Sequence, residues 1–170
     1  MKIGLAVAPE KASPLAFVVF RGRLDTILEK VSRFGYQGIE LALASSKEID
    51  IKELRDLLVR FKLELPVIST GRVFAEYKVS LSHPEEEIRR RAIEIMKSLI
   101  DVASEFRSKV NIGRIRGIVD GEDRKLVEKR FINTVAQLLE YAKDKGVELI
   151  IEPVNRYETD FINTVEDGLK

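Results

Sequence analysis

Five short apolar runs, each followed by an amphipathic stretch, constrain this chain more than any other feature. The runs are Lys2–Ala8, Gly38–Leu43, Glu64–Thr70, Val110–Gly113 and Val147–Ile151. Between them Leu24, Ile27, Leu28 and Val31 recur at helical spacing, and Gly35 stands where a helix carboxyl end favours glycine. Leu54, Leu57, Leu58 and Phe61 form a second apolar face behind Asp50, a capping residue. Pro84 and the acidic Glu85, Glu86 and Glu87 open a long helix through Ala92, Ile95, Leu99 and Val102. Asp123 to Lys145 is the fourth helix, stopped by Gly146. The unit recurs about every 30 residues, the pattern of βα units around a parallel sheet.

Two parallel-sheet architectures compete. A dinucleotide-binding, doubly wound sheet carries Gly-x-Gly-x-x-Gly in its first βα turn. Here that turn holds Pro9 and Pro14 instead, followed by an aromatic and aliphatic loop up to Phe20. The expected fold is therefore α/β, a (β/α)8 TIM barrel, with parallel strands in the order 1-2-3-4-5, helices outside and the site at the strands' carboxyl ends. A complete barrel takes about 250 residues, whereas this chain has 170. Asn163, with Glu166 three residues on, marks the start of a fifth helix shortly before Lys170. Residues 1–170 are thus expected to be the N-terminal part of a single barrel domain, about its first five βα units. The chain would stop in the fifth helix or need a partner chain to close the barrel. Phe131–Val135 and Phe161–Val165 share Phe-Ile-Asn-Thr-Val, an echo of a repeated plan that chance explains as well.

Composition excludes several classes. Lys+Arg number 29 and Asp+Glu 28, giving a net charge of +1 with no basic, aromatic-rich stretch for nucleic acid. The absence of cysteine removes disulfides and thiolate metal sites. The first apolar run is too short for a signal peptide, and none approaches a membrane span, so the expected location is the cytoplasm. A charged fraction of 34% with two glutamines suits a heat-adapted source.

The chemistry concentrates after the fifth run, which reads as a fully buried strand. Glu152 ends it, and Pro153 forbids a further ladder hydrogen bond. A carboxylate there needs a metal ion or a cationic side chain beside it, and the spacing leaves both open. Glu158 follows six residues on, with Asn155 and Arg156 between. Arg114 and Arg116 follow the fourth run, where they either meet a phosphate or carboxylate of a substrate or form surface pairs. Glu40, near the end of the second run, is a pocket-wall residue or a salt-bridge partner. His83, the single histidine, precedes Pro84 at a helix start and reads as structural.

Phe34–Leu41 at the second strand, Ser82–Glu85 and Arg89–Lys97 in the third helix, and above all Glu152-Pro153-Val154-Asn155-Arg156-Tyr157-Glu158 resemble the xylose-isomerase-like TIM barrels of the sugar (phosphate) isomerase/epimerase superfamily. Within it the likeness is greatest to the ketose 3-epimerases, such as D-tagatose and D-psicose 3-epimerase. The resemblance implies a divalent ion (Mn2+, Co2+ or Mg2+) bound by Glu152, which also moves a proton, and a substrate hydroxyl region held by Glu158. The family's remaining ligands, an Asp, a His and a second Glu, would lie beyond Lys170. The implied partner is a small sugar, without nucleic acid or membrane, and with either a homo-oligomer or a second chain completing the barrel. One histidine argues against the zinc-dependent AP-endonuclease branch. Two alternatives stand beside the epimerase: a non-catalytic partial barrel or interaction fragment, and the same fold acting as a keto-inositol dehydratase or hydroxypyruvate-type isomerase.

Overall fold

The computed structural model describes residues 1–14 and 16–169, so Leu15 of the first loop and Lys170, where the fifth helix was expected to break off, lie outside it. Within the described residues the strands are β1 (Gly4–Pro9), β2 (Phe20–Gly22), β3 (Gly38–Ala42), β4 (Glu64–Ser69), β5 (Lys109–Ile112) and β6 (Leu149–Ile151). The α-helices are α1 (Leu24–Arg33), α2 (Ile51–Phe61), α3 (Gly71–Tyr77), α4 (Glu86–Phe106), α5 (Arg124–Asp144) and α6 (Val165–Gly168). They form one sheet in the order β2-β1-β3-β4-β5-β6, each pairing parallel. This is the TIM-barrel-like partial sheet expected, with the five anticipated strands in sequence order. One short strand, β2, is added outside β1 from the end of what reads as a loop. Its three residues are too few for alternation to reveal.

The caps follow side-chain chemistry. Asp50 accepts the Glu53 N–H at 2.8 Å and Asp123 accepts the Lys125 N–H at 2.9 Å. At α6 the capping box is shifted by one residue from Asn163 and Glu166: Thr164 pairs with Asp167. Asn163 instead donates to the Val154 and Thr159 carbonyls, both at 2.8 Å. Soon after β4, Gly71 starts α3. The pentapeptide echo is not a structural repeat, since one copy lies within α5 and the other runs from the preceding loop into the first residue of α6. Their phenylalanines meet edge to face, Phe131 against Phe161 with ring centres 5.4 Å apart.

The two faces of the sheet differ. Val7, Ile39, Leu41, Leu65, Ile68, Val110 and Ile112 belong to the core shared with the helices. Most of the alternate positions are small or polar, among them Ala6, Ala8, Glu40, Ala42, Ser69 and Asn111, with Ala8 and Ala42 packed on Ala12, Ala16 and Val18. The fifth run is therefore not fully buried; Leu149 and Ile150 are half-buried and Ile151 is 39% exposed.

The loop that follows β6 is tied to the rest of the fold from several sides. Arg116, 0% exposed, donates through Nε to the Gly113 carbonyl at 2.8 Å and through Nη2 to that of Ile112 at 2.9 Å. Its Nη1 reaches the Ile162 carbonyl at 2.8 Å, and Nη2 also reaches that of Glu152. Burial lowers its pKa to about 10, partly offset by the Glu152 charge. Thr159 donates to the Gly117 carbonyl at 2.9 Å, and Asp160 accepts the Val119 and Asp120 N–H groups at 2.6 and 3.0 Å.

Gly117 has φ +101°, and a Cβ there would overlap Ser82 Oγ and lie 2.9 Å from Ser80 Oγ. Gly117→Ala is expected to cost about 2–5 kcal/mol through backbone strain and overpacking together. Gly121→Ala, at φ +79° in open space, is expected to cost about 1 kcal/mol. Urea unfolding of both variants checks the difference, and equal losses would discard the packing account. Asp160 yields a pH prediction. Burial raises its pKa, but the Val119 and Asp120 N–H groups outweigh it and hold the carboxyl below its ordinary 3.8. A carboxyl depressed in the folded state stabilises fully above its unfolded pKa and ceases to as pH falls through the folded one. Asp160→Asn should lower the urea midpoint at neutral pH and flatten its acid limb; an unchanged acid limb would show that other carboxylates carry it.

Candidate active site

A cavity of about 700 Å3 opens at the carboxyl ends of the strands. Glu40 from β3, Asn111 from β5, Glu152 after β6, Glu158 from the following loop and Arg114 after β5 all line it. Parallel strands bring these positions together, because each strand delivers the start of its following loop to the same edge. A second hollow, of about 800 Å3, lies at the amino end of β4 between α2 and α4. Its Arg55 is already paired with Glu105 at 2.9 Å, and Glu64 with Lys2 at 2.5 Å. Both carboxylates lining it are thus committed, whereas Glu40, Glu152 and Glu158 of the strand-end cavity form no ion pair among the described residues.

Glu152 is exposed to the cavity, and its Oε2 accepts a hydrogen bond from Asn111 Nδ2 at 2.7 Å. No lysine or arginine among the described residues forms an ion pair with it. Glu158 is half-buried and accepts from Asn155 Nδ2. Asn155 Oδ1 in turn accepts the Tyr157 N–H at 3.0 Å, and its carbonyl accepts the Glu158 N–H at 3.0 Å. This Asx turn sets Glu158 on the cavity wall while Tyr157, 97% exposed, points away from the core. Glu40 lines the cavity half-buried with no ion-pair partner among the described residues.

The two arginines part company. Arg114 lies over the Phe74 ring, 5.2 Å from its centre, and its buried Nε has no hydrogen-bond partner. Arg116, expected beside it as a substrate contact, does not line the cavity; its donors are spent on the four carbonyls already described. The 3-10 turn Arg114–Arg116 explains the difference, since two residues of rotation send neighbouring arginines in different directions. His83 accepts the Glu85 N–H on Nδ1 at 3.1 Å and sits outside the cavity lining.

Several cavity-wall residues escaped sequence reading, Arg72 the most tightly held of them. Arg72, 5% exposed, pairs with both oxygens of Glu48, at 2.6 and 2.9 Å, and with Glu76 at 2.7 Å, and it donates to the Ala42 carbonyl at 2.9 Å. Burial works against its charge, but Glu48 and Glu76 outweigh it and raise its pKa above the ordinary value. The one sequence signal was the i,i+4 spacing of Arg72 and Glu76. Its main partner, Glu48, comes from a 3-10 turn that no periodicity marks.

The fold agrees with that of known proteins that resemble this chain. L-ribulose 3-epimerase of Methylomonas sp. (strain DH-1) is 31% identical over 145 residues, covering 81% of this chain and 48% of the relative. Fructoselysine 3-epimerase of Shigella flexneri is 26% identical over 153 residues, covering 86% and 55%. The chain therefore spans about half the length of these relatives, both of which are carbohydrate epimerases. Among solved structures, 3-keto-D-glucoside 4-epimerase from E. coli superposes with a TM-score of 0.75 at 18% identity, covering 98% of this chain and 61% of that one. D-allulose 3-epimerase from Methylomonas sp., in complex with D-allulose, gives 0.71 at 23% identity, covering 99% and 58%. At such identities these superpositions speak for the fold. With residues 28–170 matching its family description as well, the chain belongs to the xylose isomerase-like TIM barrel family.

Proposed function

We propose that the chain carries the strand-end carboxylate and the substrate loop of a metal-dependent sugar isomerase or epimerase of the ketose 3-epimerase type. The observation that carries this is the state of Glu152. It follows β6 on the cavity wall, its carboxylate held by a neutral amide and in no ion pair among the described residues, while Glu158 and Arg114 line the same cavity. In this reading Glu152 takes the proton from the carbon next to the substrate carbonyl, and a second group on the opposite face returns one. Glu158, set by its Asx turn, holds substrate hydroxyls. Arg114, resting on Phe74, donates to an oxygen of the substrate. Arg116 serves by fixing the Glu152 backbone rather than by touching sugar.

An oxygen donor such as Glu152 suits a hard ion, Mn2+ or Mg2+, with Co2+ also accommodated. A bound ion supplies Lewis-acid polarisation of the carbonyl. Among the described residues no group of three or more His, Cys, Asp or Glu is placed to hold a metal. In this reading Glu152 would be one ligand of a larger set. No helix among the described residues is long and apolar enough to cross a membrane, and the proposed partner is a small sugar.

Two outcomes are expected. The 170-residue chain should bind Mn2+ only weakly, since chelation normally takes several ligands; calorimetry giving a submicromolar, chelator-reversible site would show that ligands have been missed. In the complete barrel, Glu152→Gln should slow deuterium exchange at the carbonyl-adjacent carbon of a ketose by at least about 10²–10⁴-fold and reduce bound metal. Glu158→Gln should leave metal content near normal and raise KM. A Glu152→Gln protein that exchanges this proton at near the wild-type rate would remove Glu152 as base.

A further inference from the structure

The hydrogen bond from Asn111 to Glu152 has an uneven character. Asn111 is 6% exposed, its Nδ2 donates to Glu152 Oε2 at 2.7 Å, and its Oδ1 is buried without any partner. A buried carbonyl oxygen left unpaired is unfavourable, and an apolar side chain of similar size would avoid it. Turning the amide over does not help, because Oδ1 would then face the carboxylate oxygen, acceptor against acceptor. The fold thus retains a poorly satisfied amide in the one orientation that gives Glu152 a donor.

The backbone around this amide is tightly fixed. Thr70, 0% exposed, donates its hydroxyl to the Asn111 carbonyl at 2.7 Å, linking the end of β4 to β5. Asn111 is in register with Ile150 of β6, two residues before Glu152, so both side chains leave the same face of the sheet. Gly113 is the next residue on that face, and a Cβ there would come within 3.8 Å of Glu152 Oε2. Glu152 therefore has an anchored donor on Oε2 and open space on its flank. Its Oε1 takes no hydrogen bond among the described residues.

We infer that Asn111 is a positioning residue for Glu152: its amide occupies Oε2 and so leaves Oε1 as the oxygen offered to a divalent cation. This rests on reading Glu152 as a metal ligand. Partners that orient a ligand in this way typically change metal affinity by about 10–100-fold when removed. A purely structural asparagine would alter stability and leave metal binding alone.

The test uses the 170-residue chain itself, with Mn2+ as the probe. Paramagnetic broadening of the Gly113 and Glu152 amide resonances is followed against Mn2+ concentration for wild type, Glu152→Gln and Asn111→Leu, with melting temperatures alongside. The expected result is broadening in wild type, its loss in Glu152→Gln, and a shift of about tenfold to higher Mn2+ in Asn111→Leu. The metal-free Asn111→Leu protein should also show the Glu152 side chain spread over several rotamers. Should Asn111→Leu not fold, Asn111→Ser removes the same donor with less bulk and carries the same expectation. If Glu152→Gln abolishes broadening but the Asn111 variant titrates like wild type, the inference fails while Glu152 stands as a ligand. If Glu152→Gln titrates like wild type, both fail together.

Discussion

A buried guanidinium with no carboxylate in direct contact holds the carboxyl-end face of this sheet together. Arg116 gathers the carbonyls of Ile112, Gly113, Glu152 and Ile162 around one side chain. Those four lie at the end of β5, the end of β6 and just before α6, which have no ladder to one another once the strands stop. Carbonyl dipoles replace the hydration that the charge gave up, and the lowered pKa records that the replacement is incomplete. In return the chain leaves β6 along a defined path, which sets the position of the Glu152 carboxylate and the loop that bears Glu158.

The sheet's division into faces completes the arrangement. Branched apolar side chains fill the helix-facing side, and the other side carries mostly alanines, glycine, serine and a few polar groups, with Val67 and Ile150 as exceptions. Small residues let a cavity form against the strands, and each polar residue there stands out against them. Arg72 supports this wall from behind, its charge balanced by Glu48 and Glu76 where neither face of the sheet could tolerate it alone.

Much of this was legible in the sequence, for identifiable reasons. Strand and helix alternation depends on apolar spacing, so five strands, their order and parallel pairing followed from it. Asp50 and Asp123 were readable as caps because a short acceptor before an apolar face has few other uses. Helix ends were readable where glycine marks them, at Gly35 and Gly146. They were not at α2, α3 and α4, which end on Lys62, Lys78 and Arg107 in the left-handed region, at φ 55°, 55° and 54°. Long polar side chains carry no signature for that conformation. Glu152 and Glu158 stood out because a charge beside an apolar run needs an explanation. Arg116 misled for the same reason: spacing shows that an arginine lies near a strand end, but not whether its donors turn to solvent or to backbone. Asn111 could be seen to interrupt a strand, yet its partner lies 41 residues away, beyond any local pattern.

The short β2 has a geometric consequence for the sheet's free flank. Val7, Ala8 and Pro9 of β1 are already matched to Phe20, Arg21 and Gly22. The Ala6 carbonyl also already accepts the Val19 N–H at 2.9 Å, so an incoming strand on that side meets vacant pairing positions on β1 only at Gly4 and Leu5 unless it peels β2 away. The upper rim beside the cavity is thus sealed by the chain's own first loop, whereas the lower rim stays open to addition. A strand added on that flank would compete with β2 for the upper part of β1, beside the residues that line the pocket.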